Sequence, residues 1–395
     1  MRARLRVLYS FPTRLGTPGI GTTAWHQVAG LIEQGTEVTL ACGSLERPLP
    51  GLHRRVETMR LAGVRIPYRA LGLERAGRLH DLLTARLVSH MRPGFDVAHC
   101  WPLGAERTLT AARAAGAAGV LERPNAHTAF AFEAVAAECA RLGIEVDADS
   151  PHAFDRTRLE REEREYAAAG HLLCPSDFVR ETFLERGFGP ERLLRHRYGF
   201  DPERFQPPAD APPDPFSVAF VGRGEPRKGL HLALRAWLDG GLGDAGGRFV
   251  ICGGLEPAYR AHLAPLLAHP SVDETGPVSD PAAVMRACHG LVLPSFEEGS
   301  ALVTYEARAC GCVLVISDRS GAPAEPGIDA LVHRAGDQDG LERDLRRLAG
   351  DPELRARLRA ASLARVGELT WTAAGARLVE AYEEALARRA APASA

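Results

Sequence analysis

A chain of 395 residues, 45% apolar and 25% charged, is ordinary for a folded globular protein and too long for one hydrophobic core, so two domains of just under two hundred residues are expected. The formal net charge of -2 argues against a nucleic-acid binder, which needs a strong positive excess on one face. No apolar run is long enough to span a membrane. The eight cysteines are scattered, and the one close pair, Cys310 and Cys312, lacks the spacing and companions of a zinc site.

In chain order, short apolar runs alternate with helical patterns, which predicts parallel sheets covered by helices. Leu5 to Ser10 is the first strand. The basic lead before it gives way at Ser10 and Pro12, too soon for a signal peptide, and a cytoplasmic location is expected. A helix opens in PGIGTTAWHQ, where Gly19 and Gly21 would let the backbone approach a phosphate or another ligand closely. GIGTTA also fits the dinucleotide fingerprint, but Pro12 and Pro18 separate it from its strand and the next strand ends in LACGS without a ribose-binding acid, so that use is rejected. Further strands are expected at Glu37 to Cys42, Asp96 to Cys100, Ala118 to Leu121 and His171 to Cys174. Asp147 and Asp149 form a D-x-D of the kind that holds a divalent ion, yet no glycine loop or strand lies near; a solvated turn is expected there, and no metal.

The prolines of PPADAPPDP, Pro207 to Pro215, forbid a helix and mark a linker. Beyond it, Ser217 to Val221, Arg248 to Cys252, Gly290 to Leu293 and Val313 to Ser317 read as strands. Trp371 to Arg389 reads as an amphipathic helix before the tail APASA. The expected division is 1–206 with a crossing C-terminal helix at 372–390, a linker at 207–215, and 216–371. Each domain would be a doubly wound, Rossmann-like α/β unit, with a cleft between the carboxyl ends of the two sheets, where such sheets bind ligands.

Two segments of the second domain carry chemistry. SFEEGSALVTYEARACG, Ser295 to Gly311, follows a strand that Pro294 and Gly299 stop, and from Ala301 it suits a helix whose free N–H groups can hold an anion. Glu298 in the loop and Glu306 on the helix can accept hydrogen bonds from sugar and ribose hydroxyls; taken alone, they also fit a capped helix with an exposed glutamate. FSVAFVGRGEPRKGLHLALRAW is again strand, glycine loop and helix. Its loop supplies Arg223 and Lys228, fixed positive charge for a pyrophosphate leaving group. Lys228 is the sole lysine among 48 basic residues.

These segments resemble the donor site of the retaining family-4 glycosyltransferases, which have the GT-B fold. Gly222, Arg223, Lys228 and Gly229 match that family's G-R-x4-K-G loop, and Glu298 and Glu306 match its E-x7-E element. CPSDFVRETFLERGF, RYGFDPERFQP and TGPVSDPAAVMRACHGLVLPS extend the resemblance over most of residues 170–385, and more loosely over the first 170. The resemblance implies that Arg223 and Lys228 bind the donor diphosphate and that Glu306 holds the ribose. It further implies that Glu298, with Gly299, Ser300, Ala301 and Leu302, faces sugar and phosphate, and that backbone near Val278 meets the base. Ser300 and Ala301 depart from the family's usual E-G-F-G, so donor-sugar preference is open. The resemblance gives Gly19 and Gly21 a place near the donor phosphate and makes His127, after the fourth strand, a positioning residue near the reacting sugar. His26 and His99 are weaker candidates for acceptor contact, with core or rim packing the simpler reading.

The implied reaction is transfer of a hexose-type sugar, with retention and without a metal or other cofactor. The donor would be a UDP-, GDP- or ADP-type nucleotide sugar, and the acceptor a hydroxyl on a small molecule, a lipid-linked molecule or a glycan. The first 100 residues hold 14 Arg against seven acidic side chains, which would suit a phosphorylated acceptor or weak peripheral membrane contact, although solvated helix faces account for it more simply. A nucleotide-sugar epimerase of the same fold and a non-catalytic nucleotide-binding homologue are the alternatives; a phosphorylase would need a cofactor lysine, and the single lysine lies in the phosphate loop.

Overall fold

The computed structural model describes residues 4–61, 64–67, 71–148 and 150–390. Two compact units emerge: one contains the chain up to Thr128, Asp155–Tyr198 and the chain from Trp371, the other Ala129–Phe154 and Gly199–Thr370. Asp149 and the tail APASA lie outside the described residues.

The first unit is built on seven parallel strands: β1 (Arg6–Leu15), β2 (Glu37–Leu45), β3 (Arg54–Glu57), and, after a small antiparallel ribbon of β4 (Arg60–Leu61) and β5 (Val64–Arg65), β6 (Val97–Cys100), β7 (Ala118–Glu122), β8 (His171–Cys174) and β9 (Leu193–Arg195). Their order is β3-β2-β1-β6-β7-β8-β9. Central strands such as VAHC and HLLC are buried along their whole length, as expected where helices cover both faces of a parallel sheet. The helices Ile20–Glu33 and Trp371–Ala390 pack closely at Gly30 and Gly375, where a Cβ on Gly30 would lie 2.9 Å from the Gly375 Cα.

The second unit repeats the plan with β10 (Ser217–Val221), β11 (Arg248–Cys252), β12 (Val272–Gly276), β13 (Gly290–Leu293), β14 (Val313–Ser317) and β15 (Ala330–His333). Its six parallel strands run β12-β11-β10-β13-β14-β15. The direction of winding reverses between β10 and β13, so the loops leaving those two strands frame the crevice in which sheets of this type bind ligands. This is the expected doubly wound α/β class, in two units. Among the described residues, no helix is long and apolar enough to cross a membrane.

The structure differs from the sequence pattern in three places. β1 continues through Pro12 to Leu15, and its pairing with β2 shifts register between Phe11 and Arg14; such a bulge is where a strand tolerates a proline. Six strands go unannounced in the sequence: β4 and β5 of the small ribbon, and β3, β9, β12 and β15, which are the edges of the two large sheets. Residues 129–154 and 199–206, expected in the first domain, cluster with the second unit. Within that unit the Glu138 carboxylate lies 2.8 Å from the His231 Nε2, and both side chains are buried, a pairing with no local sequence signal. The proline-rich stretch 207–215 has neither helix nor strand.

Candidate functional site

The loop after β10 runs from Gly222 to Gly229 and leads into the helix Leu230–Asp239. Gly229 is left-handed, at φ 70°, and a Cβ there would lie 2.3 Å from the Pro294 carbonyl oxygen. Only glycine therefore lets this loop touch the one leaving β13. Contact is sealed by the Phe296 N–H, which donates to the Arg227 carbonyl at 2.8 Å. Gly253, after β11, has φ 140°, and its Cβ would fall 2.0 Å from the Gly222 oxygen, so the first glycine of the loop is held as closely on its other side.

Arg227 is the centre of this junction. Its guanidinium donates to Glu225 at 2.7 and 3.1 Å and to the Glu297 carbonyl at 2.6 Å. It also lies 3.3 Å from the carboxylates of both Glu297 and Glu298. Burial disfavours its charge, but Glu298, Glu297 and Glu225 outweigh burial and hold its proton more tightly than usual. The Lys228 ammonium donates to the other oxygen of Glu298. Burial would raise the Glu298 carboxyl; Arg227 first and Lys228 second overcome it and hold the group down at about 2, so Glu298 is a carboxylate at any physiological pH.

The sequence-predicted pair Lys228 and Glu298 is therefore brought into direct contact. Arg227 and Glu297, which organise that contact, are not part of the recognised motif pattern. The signal lay in the composition of the two loops, GRGEPRKG and SFEEGS, where Arg227 and Lys228 of one meet the paired acids Glu297 and Glu298 of the other.

Glu306 lies on the helix Leu302–Ala309, half-buried. Burial drives its carboxyl up to about 7, against the opposing pull of Arg204. Among the described residues its side chain has no hydrogen-bonded partner. Ser300 and Ala301 are less open than expected. The Ser300 hydroxyl is engaged with the Tyr305 hydroxyl at 2.8 Å and the Gly321 carbonyl at 3.2 Å, and the Ala301 N–H donates to the Ser320 carbonyl at 3.3 Å. The first residue with helical geometry is Leu302, and no side chain caps the start. Arg223 is exposed on the loop, and Val278, 36% exposed, follows β12.

The residues expected in the first unit are more dispersed in role. Gly19, at φ 84°, caps the helix Ile20–Glu33 with open space where a Cβ would go, whereas a Cβ on Gly21 would meet the Thr17 hydroxyl at 2.6 Å and the Arg14 carbonyl at 2.7 Å. Gly21 thus closes its own loop. The His26 ring stacks on Trp371 at 4.7 Å between centroids. His127 is buried among Tyr166, Phe183 and Phe188, with centroids 5.1 to 6.0 Å away, and desolvation, Arg123 and Arg186 push its proton affinity down to about 3. It is a neutral imidazole in this setting.

For His99 the structure takes the simpler of its two readings. Offered only weakly for acceptor contact, with core packing the simpler reading, it is fully buried, with Nδ1 2.6 Å from the Tyr382 hydroxyl and Nε2 3.3 Å from Glu122. Glu122 is itself buried and accepts from His196, Tyr198 and Gln27 at 2.9 to 3.0 Å. His99 therefore belongs to a core network that ties the final helix to the sheet, closed to any ligand. Asp147 is exposed; among the described residues no group of three or more His, Cys, Asp or Glu side chains is arranged to hold a metal ion.

Comparison with known proteins gives these loops a context. Residues 215–351, which contain both, match the family model described as glycosyl transferases group 1. Of curated proteins, D-inositol 3-phosphate glycosyltransferase from Stackebrandtia nassauensis is 29% identical over 75% of this chain and 70% of its own length. The protein of the same name from Saccharomonospora viridis is 28% identical over 59% of each chain, so that match spans under two thirds of the relative. Of solved structures, sucrose-phosphate synthase from Thermosynechococcus elongatus aligns over 98% of this chain and 100% of its own at a TM-score of 0.69 and 19% identity. WaaG, a glycosyltransferase involved in lipopolysaccharide biosynthesis, aligns over 94% and 99% at 0.63 and 14%. Anabaena Alr3699/HepE in complex with UDP aligns over 96% and 100% at 0.63 and 15%. At these identities the structural likeness speaks for the fold.

Proposed function

We propose, starting from a chain that is a glycosyltransferase with a group 1 domain in its second unit, that it moves a hexose-type sugar from a nucleoside diphosphate to a hydroxyl acceptor, with retention and without a metal. The observation that carries this reading is the meeting of Lys228 and Glu298 on the loops after β10 and β13, at the point where the second sheet reverses its winding. A cation and a carboxylate held there suit the two halves of a diphosphate sugar.

Lys228 and Arg223 would neutralise the charge that grows on the leaving diphosphate, the interaction that strengthens most in the transition state. Glu298 would accept hydrogen bonds from the sugar hydroxyls. Glu306 would accept from the ribose hydroxyls, and among the described residues no hydrogen bond to its side chain competes with them. Attack on the face that the diphosphate leaves, with a donor phosphate oxygen taking the acceptor proton, needs no covalent nucleophile.

UDP is the first nucleotide to test, since a UDP complex stands among the structural neighbours. D-inositol 3-phosphate is the first acceptor, being in the name of the aligned relatives. The test is a thermal-shift panel of UDP, GDP, ADP and dTDP, followed by transfer from the matching sugar nucleotides with the anomer of the product read by NMR. One nucleotide should stabilise the protein and its sugar should be transferred with retention; an inverted product contradicts the mechanism, and free-donor interconversion without an acceptor would make the chain an epimerase.

A further inference from the structure

The donor reading assigns Lys228 and Glu298 opposite tasks, one on the diphosphate and one on the sugar, yet in this structure they neutralise each other. A diphosphate that takes Lys228 leaves Glu298 buried with one partner fewer. That is unfavourable unless a second cation remains, because an uncompensated buried charge is costly. Arg227 occupies that position. It lies 3.3 Å from Glu298 Oε2, the oxygen that Lys228 does not hold, and it is anchored from behind by Glu225 and Glu297, the latter fully buried.

We infer that Arg227 is a positioning residue for the transferred sugar: it keeps Glu298 charged and aimed once the donor diphosphate has drawn Lys228 away. This rests on the donor reading above and goes beyond it, because it divides the two neighbouring cations by task. Lys228 serves the diphosphate; Arg227 serves the sugar through Glu298 and touches no donor atom. The planar fork matters, since one guanidinium must reach Glu225, Glu297 and Glu298 at once, which a lysine cannot do.

The distinguishing measurement is the affinity for UDP beside that for UDP-glucose, by calorimetry, in the full chain and in Arg227→Lys, Glu297→Gln and Lys228→Ala, with GDP-, ADP- and dTDP-glucose pairs run in parallel. Arg227→Lys should leave the nucleoside diphosphate within about 3-fold of wild type while weakening the sugar nucleotide at least 20-fold and raising its KM more than it lowers kcat. Its acid limb in the pH–rate profile should move upward, because Glu298, with Lys228 still beside it and Glu297 and Glu225 behind the replaced side chain, loses the guanidinium that does most to hold its carboxyl down. Glu297→Gln, which keeps the carbonyl anchor of Arg227, should show the same selectivity at smaller size, and decides the matter if the arginine variant does not fold. Lys228→Ala should weaken both ligands. Equal weakening of both ligands by Arg227→Lys and Glu297→Gln, or no change in either, overturns the assignment. Failure of the wild-type chain to bind any of the four pairs would instead remove the donor reading itself.

Discussion

Lys228 and Glu298 are held less than a side chain's width from Arg227, and their energetics differ from those of a surface pair. Both side chains are close to nine-tenths buried, so screening by salt is weak and removing one partner exposes the other to desolvation. Lys228→Ala is expected to lower transfer at least 100-fold, with the fold intact because Arg227 still compensates Glu298; circular dichroism and a transfer assay on the same sample check this. Glu306 has the opposite electrostatics. Its folded-state value, up to about 7 from an ordinary 4.5, favours the protonated form, so the native state has its full advantage below about pH 4.5 and loses it as pH rises through 7. Glu306→Gln should therefore be more stable than wild type at pH 8, by at most about 3 kcal/mol, and within about 1 kcal/mol of it at pH 5, while losing donor binding. Denaturant titrations at the two pH values read this directly. Glu165, also pushed up to about 7 by burial, gives wild type a second slope of the same sign, so the difference between the two proteins is the relevant quantity. Ribose hydroxyls bound to Glu306 would favour its charged form, so UDP binding to wild type at pH 6.5 should release a fraction of a proton beyond that lost by the nucleotide's own phosphate.

At the scale of elements, what could be read in advance follows burial. The interior strands of both sheets are covered on two faces and show as unbroken apolar runs; His171–Cys174, Ser217–Val221 and Val313–Ser317 begin and end where the runs do. Edge strands lack that constraint. RRVE at β3 and VDETG at β12 carry charge on positions open to water, which discourages pairing with another chain and also removes the apolar signal. The loop chemistry was legible for Lys228, Glu298 and Glu306 because the spacing within a strand-loop-helix unit fixes where each falls. Arg227 and Glu297 were not, since their role depends on which loop lies opposite, a property of strand order. The partners of His99 were hidden for the same reason: Glu122 and Tyr382 come from a neighbouring strand and from a helix 283 residues away. The contact between helices Ile20–Glu33 and Trp371–Ala390 gives an element-scale prediction. A Cβ on Gly375 would come within 2.7 Å of the Gly30 backbone, so Gly375→Ala must part the helices despite its better helix propensity. Overpacking of this kind costs about 1–3 kcal/mol, and the thermal midpoint should fall by several degrees, whereas Gly35→Ala, in open space at φ 77°, should lose stability through backbone strain alone and leave the helix contact unchanged.

On the scale of the whole molecule, two parallel-sheet units were expected and two are present, each winding in opposite directions from a central strand. Their boundaries were harder to place, because Ala129–Phe154 leaves β7 of the first sheet and clusters with the second unit through side chains such as Glu138 and His231. Both loops proposed to hold the donor belong to the second unit, and so does the match to the group 1 family model. The loops Gly222–Gly229 and Pro294–Ala301 are proposed to hold a nucleoside diphosphate sugar through Lys228. Calorimetric titration of UDP, GDP, ADP and dTDP into wild type and Lys228→Ala tests this most directly. One nucleotide should bind the wild-type chain, and the variant should bind it at least 30-fold more weakly; equal binding by both proteins, or binding of none of the four to wild type, would overturn the proposal.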